Sequence, residues 1–321
     1  MAYSSVGVNN GAALNGTVDR ELFQEKAATD VLKYFKVTNV AKELVTNDRI
    51  DSGKSKSFPI VGNATATTRD EETVDILAAQ SIKSTERVIQ IAGLTTAHSW
   101  ISDLDAAMVH YNSKSAQIES IGRALAKKVD IDVIAQVLEA GAIDDASAAS
   151  TAGLKVFADD VFTVRPASPV IVSATGIATG SEVQSAMASA MTEFRDKDAV
   201  GEPVYLVRPQ HYYALLNNPA QTGLTWVSDE YAQSGKVPMI LGSRVIQSPH
   251  FPSFVSTASA TNDIGVLFAK ESVGCLELLS MSVRTDYIPQ NLADLMVGKM
   301  AVGYGILNHG SAINMRLTNA A

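Results

Sequence analysis

The chain has a single cysteine, Cys275, among 321 residues, which excludes an internal disulfide framework and a Cys-rich metal site and fits maturation in a reducing cytosol. Cys275 itself is read as a small core hydrophobe. Long apolar runs are missing, so no segment is expected to span a membrane. Residues 1–15 have neither a positively charged stretch nor an apolar one and do not read as a secretory signal. Basic residues are outnumbered, 26 Lys and Arg against 34 Asp and Glu for a formal net charge of −8, and they form no cluster. Tight gripping of nucleic acid by phosphate neutralisation is therefore not expected.

Motifs that carry chemistry are also lacking. Ser52-Gly53-Lys54-Ser55 is similar to the end of a phosphate-binding loop, but the glycine that the full pattern needs at position 48 is Asp48, so the string reads as a strand with solvated lysines. His98, His110, His211, His250 and His309 show neither the i, i+4 spacing of a metal-binding helix nor C-x-x-C partners, and are read as structural or surface histidines. There is no Gly-x-Ser-x-Gly elbow, no dinucleotide fingerprint and no H-E-x-x-H. The acidic cluster Asp70, Glu71, Glu72 and Asp75 lacks the spacing of a calcium loop and reads as a solvated loop tip. No catalytic, cofactor-binding or metal-ligating residue is assigned, and no cofactor is expected.

What is present is apolar material in excess of what a monomer's surface chemistry needs. The chain is 46% hydrophobic and only 19% charged, so part of its surface is expected to meet partners. Its length allows one large or two smaller cores.

Residues 1–17 are rich in Ala, Asn, Gly and Ser and read as a flexible arm. From Val18 to Val45 the apolar residues Leu22, Phe23, Val31, Leu32, Tyr34, Phe35, Val40 and Leu44 recur at roughly helical spacing. Lys54, Lys56, Phe58 and Ile60 then alternate with Ser55, Ser57 and Pro59, the pattern of an edge strand. Thr85 to Leu94 reads as its partner, and the polar stretch from Asn63 to Ser84 between them predicts a projecting hairpin. An unburied two-stranded ribbon is marginal in water and becomes stable only against another surface.

Ser102 followed by Asp105 predicts a capped short helix through His110. A second, longer helix is predicted to run to about Ala140 and stop at Gly141, with Ile118, Ile121, Leu125, Val129, Ile134 and Val137 as its inward stripe. Residues 141–179 read as loops around the short apolar pieces Leu154 to Phe157 and Val161 to Val164. Beyond them a mixed α/β region is expected: a helix from Gly180 to Phe194, a strand from Val204 to Val207, a helix from Pro209 to Leu216, a hairpin-like run from Val237 to Ile246, and strands at Ile264 to Phe268 and Cys275 to Val283. The Gly-rich tail from Leu292 to Leu317 is predicted to be strand, paired with Thr85 to Leu94.

The order of arm, hairpin, long helix, α/β region and returning strand resembles the Hong Kong 97-type phage capsid fold. Several strings are similar to the major capsid proteins of short-tailed phages, the podoviruses of autographivirus type. These are Ser52-Gly53-Lys54-Ser55 through Phe58-Pro59-Ile60-Val61-Gly62, Thr85-Glu86-Arg87-Val88-Ile89-Gln90-Ile91-Ala92-Gly93-Leu94, and Met108-Val109-His110-Tyr111-Asn112 with Ser115 and Leu125-Ala126 after it. Pro249-His250, Ile264-Gly265-Val266, Ser272-Val273-Gly274 and Gly303-Tyr304-Gly305 add to them. The resemblance covers about residues 18 to 312.

It implies an α+β chain divided into an N-terminal arm (1–45), an extended loop with a peripheral strand (46–100), a spine helix and peripheral domain (101–178), an α/β axial domain (179–284) and a C-terminal return to the peripheral domain (285–321). It implies a structural, non-enzymatic role: hexamers and pentamers of an icosahedral head, made in the host cytoplasm with a separate scaffolding protein and a portal. That head would enclose double-stranded DNA without binding it specifically, and no membrane would take part. Lys54, Lys56, Phe58, Arg69, Asp70, Glu71, Glu72 and Arg87 are the expected contacts between subunits. No lysine–asparagine cross-link pair, as found in some members of the wider fold family, is assigned. The competing reading is a soluble enzyme or ligand-binding protein worked by residues 180–285.

Overall fold

A computed structural model describes residues 39–61, 84–108, 113–142, 170–173, 179–196, 199, 201–216, 239–252 and 262–318. The described strands are β1 (Thr46–Arg49), β2 (Ser55–Val61), β3 (Ser84–Gln90), β4 (Thr95–Ser102), β5 (Val170–Ser173), β6 (Pro203–Val207), β7 (Arg244–Gln247), β8 (Asn262–Ala269), β9 (Val273–Ile288), β10 (Ala293–Ile306) and β11 (Ala312–Thr318). The helices are α1 (Asp103–Met108), α2 (Ser113–Ala142), α3 (Gly180–Asp196) and α4 (Pro209–Leu216). The chain divides into two compact units.

The first unit includes Gly93–Lys128 and Leu279–Val302. Here β4 runs antiparallel to β10 in a register from Ser102↔Ala293 to Thr95↔Met300. The first half of α2 covers one face of this pair, and the contact depends on a missing side chain: a Cβ on Gly298 would stand 2.7 Å from Cγ2 of Ile121 and 3.0 Å from Cδ1 of Leu125. Polar ties hold the same face, with Ser99 Oγ donating to Gln117 Oε1 at 2.8 Å and Lys114 Nζ to Asp294 at 2.6 Å. The Ser102 hydroxyl accepts from the Asp105 amide at 3.1 Å, the cap expected for α1.

The second unit comprises Val40–Ala92, Val129–Leu278 and Gly303–Ala321. Its five-stranded mixed sheet has the order β5-β11-β8-β6-β7, with β5 parallel to β11, β7 parallel to β6, and β8 antiparallel to both of its neighbours. Val183, Met187, Ala190 and Phe194 of α3 form the core with Tyr205, Ile264, Leu267 and Met315 of the sheet. The Tyr205 hydroxyl donates to the Met187 carbonyl at 2.8 Å. β8 and β6 approach so closely at Gly265 that any Cβ there would collide with the Leu206 carbonyl. α3 opens at Gly180, as the sequence predicts, and its start is tied by Thr179, whose amide and hydroxyl both donate to Glu182 Oε2, at 2.7 and 2.9 Å.

Three expectations are corrected. The strand opening the Gly-rich tail pairs with Thr95–Ser102 rather than with Thr85 to Leu94, whose strand β3 pairs instead with β2. The tail is two strands, and the second, β11, belongs to the five-stranded sheet. The long helix does not stop at Gly141 but includes it and ends at Ala142: the glycine is needed because a Cβ would strike the side chain of Asn314, whose Nδ2 donates to the Leu138 carbonyl at 2.7 Å. The run to Ile246 does contain a hairpin-like turn, an antiparallel bridge between Ile240 and Ser243 around Leu241-Gly242, and it leads into β7, which pairs in parallel with β6. The amphipathic segment before residue 39, His110, the pieces at 154–157 and 161–164, and residues 237–238 lie outside the described residues.

Candidate assembly surfaces

β2 and β3 form a two-stranded antiparallel ribbon that no third described strand joins, in a register from Ser55↔Gln90 to Val61↔Ser84. Alternation places Lys56, Phe58, Arg87 and Ile89 on one face and Ser55, Ser57, Pro59, Glu86, Val88 and Gln90 on the other. The first face is partly covered and the second is exposed throughout. The root of the ribbon is fixed by Ile89 and Ile91, both buried. Ile89 sits over Gly274 and Gly305, while a Cβ on Gly303 would stand 2.6 Å from the Gln90 carbonyl. The glycines of the tail thus make a groove for the ribbon's root.

Of the expected contact residues, Lys56, Phe58 and Arg87 share the partly covered face, and Lys54 is exposed. Lys56 is engaged within the chain: its Nζ lies 2.5 Å from Asp48 Oδ2 and 5.9 Å from the centroid of the Phe58 ring. The hydrogen bond from Lys56 holds the Asp48 carboxyl below its ordinary value. Burial lowers the Arg87 guanidinium from its usual range. Arg69, Asp70, Glu71 and Glu72 lie outside the described residues.

Two further surfaces have no sequence signal. Leu292 and Leu241 occupy turns with φ of 44° and 51°, the left-handed region that crowds a β-carbon and costs roughly 1–2 kcal/mol. Both side chains are exposed, at 62% and 55%, so the backbone holds an apolar group outward at each turn. In the first unit Trp100 on β4 and Leu104 on α1 are also exposed, at 59% and 69%. Single exposed apolar residues are ordinary, but large ones held on rigid elements suit a surface destined for contact.

The polar groups of the interior serve structure. Cys275 is buried and its thiol is pushed up to about 11, mainly by burial, which makes it unreactive. His211 is buried and lowered to about 4 by burial and the nearby Arg208 guanidinium. Asp130, on α2, gathers the backbone amides of Val40 and Ala41 and the ring of His250. Sequence reasoning missed that grouping, because its members lie about 90 and 120 residues apart. Among the described residues no group of three or more His, Cys, Asp or Glu is placed to hold a metal ion, and no helix is long and apolar enough to cross a membrane.

Comparison with known proteins agrees with this geometry. The major capsid protein of Enterobacteria phage T3 is 25% identical over 96% of this chain and 94% of its own length. That of Escherichia phage T7 is 24% identical over 96% of this chain and 95% of its own. Among solved structures, the capsid of cyanophage P-SCSP1u superposes with a TM-score of 0.69 at 24% identity, covering 88% of this chain and 89% of that one, which assigns the fold to the phage capsid class expected from the sequence. The Gp10A-like major capsid protein model matches residues 57–316, and on that match the chain belongs to the Gp10A-like family of major capsid proteins.

Proposed function

We propose that copies of this chain assemble into hexamers and pentamers of an icosahedral phage head, part of the virion, and that contacts between copies are its whole function. The observation that carries this reading is the β2–β3 ribbon, which has one anchored root, one face whose described side chains are all exposed, and no third strand among the described residues. A two-stranded ribbon of this kind gains stability only by lying on another surface. In this reading the ribbon is the extended loop (46–100) lying over a neighbouring subunit. α2 is the spine of the peripheral domain (101–178), and α3, α4 and the five-stranded sheet build the axial domain (179–284). Residues 1–45 form the arm, and residues 285–321 return through β10 to the peripheral domain and add β11 to the axial sheet. Lys54, Phe58, Arg87 and the segment Arg69 to Glu72 reach the neighbour, and Lys56 does so together with its partner Asp48.

Assembly takes place in the host cytoplasm with a separate scaffolding protein and a portal, and the head encloses double-stranded DNA without specific recognition. No catalytic step is needed. An enzyme centred on residues 180–285 finds no support in the relatives, which are capsid proteins.

The test is deletion of Asn63 to Ser84 followed by electron microscopy. Soluble subunits that form no shells are the expected result, and shells of normal yield and shape would overturn the placement of the ribbon.

A further inference from the structure

Asp130 is completely buried on α2, and both of its carboxylate oxygens are in use. Oδ1 accepts from the Ala41 amide at 3.0 Å, and Oδ2 accepts from the Val40 amide at 3.1 Å and lies 3.1 Å from His250 Nδ1. Val40 and Ala41 open the 3-10 turn at Lys42–Leu44, whose capping position, Ala41, has no side chain able to accept a hydrogen bond. Asp130 does not replace that cap, which would serve amides inside the turn; from a position 89 residues further along the chain it takes instead the amide of the capping residue itself, together with the one before it. Downstream the same segment is tied again, by Lys42 to Glu277 at 2.7 Å and by the Thr46 hydroxyl to the Lys270 carbonyl at 3.0 Å. Two consecutive amides aimed at one buried carboxylate fix the direction of the peptide planes at Val40 and Ala41, just after residues 1–38.

We propose that Asp130, steadied by His250, is a positioning residue for shell assembly: it sets the direction in which the amino-terminal segment leaves the body of the subunit. The proposal rests on the reading that residues 1–45 form an arm that touches neighbouring copies. Weakening the anchor would let the segment wander, so that a productive contact forms in a smaller fraction of encounters, while the five-stranded sheet keeps its fold.

The experiment is hydrogen exchange on unassembled full-length subunit, comparing the wild type with Asp130→Asn, Asp130→Ala and His250→Gln, together with assembly yield. Charge-assisted bonds to a buried acceptor protect their donors strongly. Exchange at the Val40 and Ala41 amides is therefore expected to rise by at least about tenfold in Asp130→Ala and by less in Asp130→Asn, whose remaining oxygen still accepts. Amides of β6 and β8 should not change, and shell yield should fall in the same order as protection at the anchor. Unchanged exchange at Val40 and Ala41, or a uniform rise through the sheet, overturns the proposal.

If Asp130→Ala does not fold, Asp130→Asn and His250→Gln decide alone: a rise confined to residues 39–44 supports the anchor, and none or a general one refutes it. A chain lacking residues 2–38 serves as the control for the underlying reading. If it assembles like the wild type, the arm is dispensable and that reading fails, whereas the exchange data still report whether the anchor exists.

Discussion

Ile89 fills the space in which a side chain on Gly274 would stand: a Cβ there would lie 2.7 Å from Cδ1 of the isoleucine. The ribbon's root is thus seated by shape, with the Lys56–Asp48 ion pair beside it. Gly274→Ala is expected to cost about 1–3 kcal/mol through overpacking. Combining it with Ile89→Val, which removes the clashing methyl, should return part of that loss, read as a coupling energy in a urea-unfolding double-mutant cycle. Simple additivity would show that the two residues do not meet. Gly93→Ala, with nothing within 4 Å of the added carbon, should change stability by no more than about 0.5 kcal/mol.

Leu125 is 1% exposed and reaches the bare backbone at Gly298. Leu125→Ala removes three buried carbons and leaves a cavity, so a loss of about 2–5 kcal/mol is expected from chemical unfolding. A cost near zero would place this side of α2 in solvent.

His211 gives the fold a pH dependence of known sign. Its folded pKa is lowered to about 4 from an ordinary 6.5, so between those values the unfolded chain holds the extra proton. Stability contributed by the neutral, buried ring is complete above pH 6.5 and declines as the pH falls towards 4, by at most about 3 kcal/mol. His211→Gln should flatten unfolding midpoints across that window, and a wild-type profile already flat there would contradict the burial of an uncharged ring.

The inner surface of a shell built from a chain of net charge −8 should repel duplex DNA over roughly a Debye length, about 8 Å at physiological salt. Filter-binding titration of unassembled subunit is expected to show no affinity tighter than millimolar at that salt. A micromolar constant with a steep salt slope would shift the protein towards nucleic-acid binding.

Much of this molecule was legible in one dimension because the physics involved is local. Apolar residues three and four apart predicted α2 and its inward stripe, Pro209 marked the first turn of α4, and alternation from Lys54 to Ile60 assigned Lys56 and Phe58 to one face of a strand. The string from Thr85 to Leu94 carried both the strand and the family resemblance.

What the chain could not announce was who meets whom. Thr85–Gln90 and Thr95–Ser102 have the same β-forming character, and only the packed structure gives the second of them to β10 while holding the first over a groove of glycines. Gly141 looked like a helix terminator because its lack of a side chain is a local fact, whereas the reason for that lack, the amide of Asn314, arrives from the far end of the chain. Asp130 is the extreme case: in sequence it is one more acid on a helix, and a carboxylate acquires a role only when folding takes it out of water and brings donors to it. Periodicity and capping act within a few residues and are written in the sequence, but close approach and the pairing of buried polar groups exist only once distant segments have been brought together.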